Sequence, residues 1–205
     1  MAIEALMFDL GKVLIDFDFE LGMRHFAPRS GLSTDALWQV ILDRRWIDRY
    51  EKGAISTEEY HHYLRDAGQL DMDLEEFQEA WTAVFLPEPI VPEAFLASLR
   101  ERYPLILVSN INESHATHIA TNYSVFDHFD HRILSHEVGA MKPERKIYDV
   151  AIAAAGKPAE SLFFTDDREE NVESALKMGI RAHQFRSLSG LIAALKECGV
   201  DTGAF

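Results

Sequence analysis

The chain has 205 residues, of which 47% are hydrophobic and 26% are charged, and its formal net charge is −14. Because so acidic a surface repels nucleic acid and anionic membranes, we expect neither as a partner. With a single cysteine no intrachain disulfide forms, and the sequence shows no signal peptide and no run of roughly 20 apolar residues that would span a membrane. We therefore expect a cytoplasmic protein, as a monomer or a homodimer.

Short apolar runs predict the strands of a parallel sheet. The first run, 3–8, leads directly into Asp9, and the second, 104–109, is almost continuously apolar. Runs of this length are typical of parallel strands that are covered on both faces. Further strands are predicted at 131–134, 161–165 and 180–185.

Helical patterns separate these strands along the second half of the chain. Pro92 and Pro143 stand near predicted helix starts, and Gly156 and Gly179 stand where helices should end. The predicted helices are 92–102, 113–123, 144–156, 169–178 and 188–198. Alternation of strands and helices predicts an α/β fold, a doubly wound parallel sheet.

The segment 18–87 interrupts this alternation. It has almost no strand signal, and its apolar residues recur at helical spacing. Four helices are predicted near 19–28, 33–50, 56–67 and 73–85, with Pro87-Glu-Pro89 as the return linker. Such an insert would form a cap over the carboxyl ends of the strands, where ligands bind in open α/β sheets. We thus predict an α/β core domain of residues 1–17 and 88–205 and a helical cap domain of residues 18–87.

Polar residues follow the predicted strands at four places, beginning with Asp9. The others are Ser109-Asn110, Lys142 and Asp166-Asp167. Each is commonplace alone, since lone Asp, Ser and Asn residues often cap helices. Together they converge on one crevice and supply a nucleophile, hydroxyl and amide donors, a fixed cation and a group of carboxylates.

These groups suit phosphoryl transfer from a small phosphorylated metabolite. The carboxylates at positions 9, 166 and 167 repel one another unless a cation such as Mg²⁺ lies between them, and that cation also orients a phosphate for in-line attack. Ser109 and Asn110 would donate to phosphoryl oxygens, and Lys142 would offset negative charge.

The motifs resemble those of the haloacid dehalogenase-like superfamily in order and spacing, over essentially the whole chain. The resemblance implies a Rossmann-like core with a small helical cap and the activity of a hydrolase, a phosphomonoesterase. Asp9 would be the nucleophile that forms a phospho-aspartate. Ser109, with Asn110 beside it, would bind the phosphoryl group, and Lys142 would support both nucleophile and phosphate.

The resemblance also implies the ligands of Mg²⁺. These would be Asp9, the backbone carbonyl of Gly11, and the pair Asp166 and Asp167, and which of the pair contacts the metal directly stays open. Most phosphatases of the family carry a second Asp where this chain has Gly11. That acid/base is typically worth ~10²–10⁴-fold in rate.

The sequence Phe-Asp-Leu-Gly-Lys-Val around Asp9 resembles a subgroup that includes a bacterial α-D-glucose-1-phosphate phosphatase. An anomeric phosphate depends less on an acid, so a sugar phosphate such as glucose 1-phosphate is a candidate substrate. Water or a nearby residue would replace the missing group. Asp16 is the nearest carboxylate in sequence, although capping of the next helix or solvation of the linker is the more ordinary role for it.

Two other functions remain open from the sequence. An L-2-haloacid dehalogenase uses the same fold and nucleophile without metal, but the pair Asp166-Asp167 implies a cation. Loss of the acid/base would also suit a non-catalytic, phosphate-binding regulatory protein. The retained Asp9 and Lys142 favour the enzyme.

Overall fold

The computed structural model describes residues 2–205, which form two sheets, eleven α-helices and three short 3₁₀-helices. The strands are β1 (Ala5–Phe8), β2 (Ile15–Phe17), β3 (Phe85–Pro89), β4 (Leu105–Ser109), β5 (His131–Leu134), β6 (Leu162–Asp166) and β7 (Arg181–Gln184). The first five helices are α1 (Phe19–Phe26), α2 (Thr34–Ile41), α3 (Arg44–Glu51), α4 (Thr57–Ala67) and α5 (Leu74–Thr82). The others are α6 (Glu93–Arg100), α7 (Glu113–Asn122), α8 (Ser135–Val138), α9 (Arg145–Ala155), α10 (Glu169–Lys177) and α11 (Leu188–Glu197). Within this described part, no helix has the length and apolar character needed to cross a membrane.

The larger sheet has five parallel strands in the order β5-β4-β1-β6-β7. All four residues of β1 are buried, as its central position requires. Leu6 and Phe8 belong to an apolar cluster with residues of α6, α7 and α11 on one face, whereas Ala5 and Met7 join residues of α9 and α10 on the other. Alternate side chains of a strand point to opposite faces, so the nearly continuous apolar run fills both layers. The predicted doubly wound parallel sheet is confirmed.

The helices α1–α5 lie between β1 and β4 in the chain and have an apolar cluster of their own. Its aromatic members include Phe26, Tyr50, Tyr60, Phe77 and Trp81. The chain enters this insert through β2 and leaves it through β3, and these two strands pair antiparallel with Phe17 opposite Phe85. The division into a core domain and a cap domain stays a prediction.

Two elements of the insert differ from their prediction. The single helix predicted at 33–50 is two helices, because the side chain of Asp43 accepts a hydrogen bond from the Arg45 backbone N–H (3.0 Å) and caps a new start. The predicted linker around Pro87 is strand β3. Its prolines are accommodated because β3 is paired on one side only, with β2.

Candidate active site

The register of the sheet sets the position of Asp9. Phe8 lies opposite Leu107 of β4 and Thr165 of β6, so the residues that follow come together at the carboxyl edge of the sheet. The Asp9 backbone N–H donates to the Thr165 carbonyl (2.9 Å), which extends the ladder by one residue. Asp9 therefore lies between the ends of the two neighbouring strands, as the sequence predicts.

Lys142 is the centre of the hydrogen-bond network at this edge. Its Nζ lies 2.5 Å from Asp9 Oδ1, 2.7 Å from Asp166 Oδ2 and 2.7 Å from the Val108 carbonyl. Burial alone would lower the pKa of Lys142, but the charges of Asp166 and Asp9 outweigh it and the pKa is raised. Lys142 is therefore held as a cation between two carboxylates.

The backbone of Lys142 is fixed by the side chain of Asn110. Asn110 Nδ2 donates to the Lys142 carbonyl (2.9 Å), and Asn110 Oδ1 accepts from the Lys142 N–H (2.7 Å). The side chain expected to bind phosphate is thus engaged in positioning the lysine. Ser109, the last residue of β4, is buried and lines the same cavity as Asp9.

The carboxyl group of Asp9 is buried beside this lysine. Burial raises the pKa of Asp9 to about 7, Lys142 opposes that rise, and the charge of Asp166 adds to it. Since Lys142 holds Oδ1, Oδ2 is the oxygen left for other partners. A cation beside the site would favour the ionised form that a nucleophile needs.

The acidic pair at the end of β6 occupies two different environments. Asp166 is fully buried, and its oxygens accept hydrogen bonds from the Arg168 backbone N–H (2.9 Å) and from Asn171 Nδ2 (3.0 Å to each oxygen). Asp167 is half-buried and lines the cavity. Burial, and then the charge of Asp166, raise the pKa of Asp167.

The donor set fits a divalent cation. Carboxylate oxygens of Asp9, Asp166 and Asp167 all lie within 4.8 Å of one another. Three carboxylates, when ionised, exceed the single charge of Lys142 by two. Asn171 Oδ1 is buried nearby and has no hydrogen-bond partner among residues 2–205. Hard oxygen ligands with surplus negative charge are what Mg²⁺ prefers.

Gly11 lines the cavity, and the ring of Phe17 fills the space that a side chain on Gly11 would enter. A Cβ on Gly11 would lie 2.8 Å from Cε1 of Phe17, closer than side chains pack. The Phe17 ring is held by the Phe19 ring (centroids 4.8 Å apart) and by Lys12, whose Nζ lies 4.7 Å from the ring centroid. An aromatic ring thus occupies the place from which a second carboxylate would extend.

Asp16, the nearest carboxylate in sequence, is turned to other partners. Its Oδ1 accepts from Lys12 Nζ (2.5 Å) and from the Phe17 backbone N–H (2.8 Å). The hydrogen bond to Lys12 lowers the pKa of Asp16. The residue that caps α1 is Asp18 instead. Asp16 is not among the described residues that line the cavity.

A cavity of about 370 Å³ lies above these groups. Its floor is the polar edge of the sheet, and the insert supplies a largely apolar roof. The charged side chains that the insert contributes, within the described chain, are Arg44 and Glu51. The apolar side chains of the roof are Phe19, Met23, Phe26, Trp38, Ile41, Leu42, Ile47, Trp81, Val84 and Phe85.

The sequence pattern predicts no role for Phe17 or Glu51. Phe17 follows β1 by only nine residues, but nothing in a linear pattern indicates that its ring turns back onto Gly11. Glu51 stands at the end of α3, shortly before the turn at Gly53. A carboxylate beside a helix break is a weak indication of a functional residue, because exposed acidic residues stand at such places too.

The sequence pattern that defines the haloacid dehalogenase-like hydrolases matches residues 3–179. The chain belongs to this family. A D-ribitol-5-phosphate phosphatase from Bacteroides thetaiotaomicron is 23% identical over 188 residues, which cover 89% of this chain and 91% of that relative. The predicted family and the predicted enzyme class, a hydrolase, are confirmed. The narrower subgroup around the Asp-Leu-Gly sequence stays a prediction.

Two solved structures of haloacid dehalogenase-like proteins resemble this fold closely. A predicted family hydrolase from Porphyromonas gingivalis is 27% identical, with a TM-score of 0.81 over 98% of this chain and 100% of that chain. A family enzyme from Bacteroides thetaiotaomicron, in complex with magnesium and inorganic phosphate, is 26% identical. It has a TM-score of 0.78 over 91% of this chain and 96% of that chain.

Proposed function

We propose that this haloacid dehalogenase-like hydrolase is a magnesium-dependent phosphomonoesterase that acts through a phospho-aspartate on Asp9. The observation that carries the proposal is the pairing of Lys142 with Asp9 and Asp166 next to the cavity-facing Asp167. Buried carboxylates in excess of their one cation suit a site that binds a metal. The magnesium and phosphate in the relative's structure support the same cofactor and substrate class.

Each side chain of the site has a distinct task in this reaction. Asp9 Oδ2 attacks phosphorus while Lys142 holds Oδ1 and compensates the negative charge. The Ser109 hydroxyl donates to a phosphoryl oxygen as charge develops. Mg²⁺, held by Asp9, Asp167 and their neighbours, would neutralise phosphate charge and polarise the phosphoryl group.

Asn110 acts at one remove, because its side chain fixes the backbone of Lys142. We therefore propose Asn110 as a positioning residue and not as a side-chain donor to phosphate. Gly11 remains a proposed metal ligand through its carbonyl oxygen. Because a backbone carbonyl does not depend on the side chain, residue 11 can bind the metal even though it lacks the carboxylate of the acid/base.

The roof of the cavity indicates the kind of leaving group. It offers two charged side chains, and Arg44 is already paired with Asp48 (Nε to Oδ1, 3.0 Å). A polyol would leave many hydroxyls without partners there, at a cost of about 1–3 kcal/mol for each buried unsatisfied group. We propose a small monophosphate with an apolar or aromatic face. Glucose 1-phosphate remains the sequence-based candidate against which to compare it.

The proposal is tested by assaying phosphate release from p-nitrophenyl phosphate, 1-naphthyl phosphate and glucose 1-phosphate, with Mg²⁺ and with EDTA. We expect hydrolysis that requires Mg²⁺, with kcat/KM higher for the aryl esters. Asp9→Asn should abolish hydrolysis, and Asp16→Asn, which changes a partly exposed carboxylate outside the cavity, should retain it.

Two outcomes would favour the other functions. Chloride release from 2-chloropropionate that persists in EDTA would indicate the dehalogenase. Tight phosphate binding without turnover would indicate a regulatory protein.

A further inference from the structure

The absence of a carboxylate at Gly11 leaves proton transfer to the leaving group without its usual donor. Several other titratable side chains line the cavity, and most are already engaged. His115 binds the Trp81 carbonyl through Nε2 (2.8 Å) and the Asn112 side chain through Nδ1 (3.2 Å). Burial lowers the pKa of His115 to about 4, so it is neutral and has no free nitrogen. Glu170 is paired with Arg168.

Glu51 is different because its backbone is fixed to the core close to the phosphate-binding loop. Ser135 Oγ donates to the Glu51 carbonyl (2.6 Å), and the same Ser135 Oγ accepts from the Ile111 backbone N–H (2.8 Å). Ile111 is two residues beyond Ser109. One buried hydroxyl therefore ties the end of α3 to the loop that carries the proposed phosphate ligand.

The residues after Glu51 strengthen this attachment. Lys52 Nζ lies 2.5 Å from Glu144 Oε1 of the core. Gly53 packs so closely on the core that a Cβ there would lie 2.1 Å from the His136 carbonyl oxygen. Glu51 thus lies at a junction where the insert is bonded to the core and packed closely against it.

The carboxyl group of Glu51 has no hydrogen-bond or ion-pair partner that would hold it away from a substrate. Glu51 lines the cavity, and its carboxyl group makes no hydrogen bond or ion pair with any side chain of residues 2–205. The charges that face it are Asp48 and Arg44 from its own helix and Arg168 from the core. Arg44 is paired with Asp48, and Arg168 with Glu170, so neither cation is fully available to Glu51.

Burial, and then the charge of Asp48, raise the pKa of Glu51 to about 7. A carboxyl group with this pKa is both a proton donor and a proton acceptor near neutral pH, which is the condition for efficient general acid–base catalysis.

We propose that Glu51, reaching down from the insert, is the acid/base that replaces the side chain missing at Gly11. The inference rests on the proposed phosphatase function. In the first step the P–O bond to the leaving group breaks as Asp9 bonds to phosphorus, and the Glu51 carboxylic acid gives its proton to the departing oxygen. In the second step a water molecule attacks phosphorus, the Glu51 carboxylate takes its proton, and the bond between Asp9 and phosphorus breaks. Glu51 ends protonated, as it began.

The test compares Glu51→Gln with the unsubstituted protein on two esters that differ in their need for a proton. p-Nitrophenolate leaves unprotonated, whereas an alkoxide such as that of 2-phenylethyl phosphate does not. We expect Glu51→Gln to lower kcat/KM for the alkyl ester by roughly 10²-fold or more and to change kcat/KM for p-nitrophenyl phosphate little. With p-nitrophenyl phosphate the variant should also release a burst of p-nitrophenol, because hydrolysis of the phosphoenzyme lacks its base.

Two further variants complete the design. Glu75→Gln removes an exposed carboxylate of the insert that does not line the cavity, and it should leave the ratio of the two kcat/KM values unchanged. Glu51→Asp keeps an acid and should recover part of the alkyl-ester activity, which a merely structural role would not predict.

Equal losses of kcat/KM on both esters, or no loss of kcat/KM on either, would overturn the role of Glu51. The proposed phosphatase function fails separately, if Asp9→Asn and the unsubstituted protein hydrolyse p-nitrophenyl phosphate equally.

Discussion

The ring of Phe17 lies directly beside Gly11, so that a Cβ on Gly11 would be 2.8 Å from Phe17 Cε1. The ring is packed on Phe19 and under Lys12. The loss of the second Asp and the position of Phe17 therefore form one structural unit. Restoring the Asp alone would not restore the geometry of an acid/base.

A double-mutant cycle measures this relationship. We expect Gly11→Asp to lower the free energy of unfolding by roughly 1–3 kcal/mol, because the new side chain displaces a packed ring. In the background of Phe17→Ala the same change should cost about 1 kcal/mol less, since the space is open. Urea denaturation of the four proteins gives the coupling energy. Additive effects would show that the ring and residue 11 do not compete for space.

Lys142 is expected to be the residue of the site on which stability depends most. Lys142→Ala leaves the buried carboxylates of Asp9 and Asp166 facing each other without a cation, a loss of about 3–5 kcal/mol. Lys146→Ala, which removes an exposed lysine bound to a backbone carbonyl, should change stability by about 0.5 kcal/mol or less. Thermal denaturation compares the two. Similar melting temperatures for both variants would contradict the role of Lys142 as the central cation.

Ser135 is predicted to join the insert to the core. Ser135→Ala removes the acceptor of the Ile111 N–H and the donor to the Glu51 carbonyl, and Ser135 itself is fully buried. We expect a loss of about 1–3 kcal/mol in the free energy of unfolding. Ser174→Ala, in which a more exposed hydroxyl bonded to the Pro143 carbonyl is lost, is the control and should cost less. Equal effects in urea denaturation would argue against this junction.

Glu51 should make stability depend on pH. Its pKa rises from 4.5 to about 7 on folding, so the folded state binds the proton more tightly than the unfolded state between these values. Stability from this group is therefore fully present below pH 4.5 and is lost as the pH rises to about 7. Glu51→Gln has no such pH-dependent loss. Between pH 4.5 and pH 8 its free energy of unfolding should therefore rise, relative to that of the unsubstituted protein, by on the order of 1–3 kcal/mol. A difference that does not change with pH in urea denaturation would contradict the raised pKa.

The α/β core is predictable from the sequence because its signals are local. Residues 3–8 and 104–109 are apolar runs that end in polar residues, and in a parallel sheet such ends meet at one edge. That alone brings Asp9, Ser109 and Asp166 together. The presence of Lys142 at the same edge also agrees with its motif, although its contacts with both carboxylates could be seen only in the structure.

The parts that the sequence did not predict depend on distant contacts. The strand Phe85–Pro89 carries two prolines and is a strand only because Ile15–Phe17 pairs with it. The place of Phe17 beside Gly11 depends on the turn that brings β2 back to the site. Among the described acidic residues of the insert, Glu51 is the one that lines the cavity, and no local pattern marks it. Folding brings these groups together over separations that a local pattern does not encode.

The roles of the site residues, the domain boundaries, the oligomeric state and the cytoplasmic location stay predictions. The expected role of Asn110 changes most, because its side chain is bonded to the backbone of Lys142. Asn110→Ala should therefore displace Lys142 and lower both kcat and the free energy of unfolding. The KM for phosphate esters should change less.

The nucleophilic role of Asp9 is tested most directly by rapid acid quench of the protein during turnover of p-nitrophenyl phosphate with Mg²⁺, followed by mass spectrometry of its peptides. We predict one phosphoryl group, carried by Asp9 and absent from Asp9→Asn and from samples without Mg²⁺. Glu51→Gln should carry more of it, since its release is slowed. Full hydrolysis by Asp9→Asn, or a phosphoryl group on a residue other than Asp9, would contradict the account.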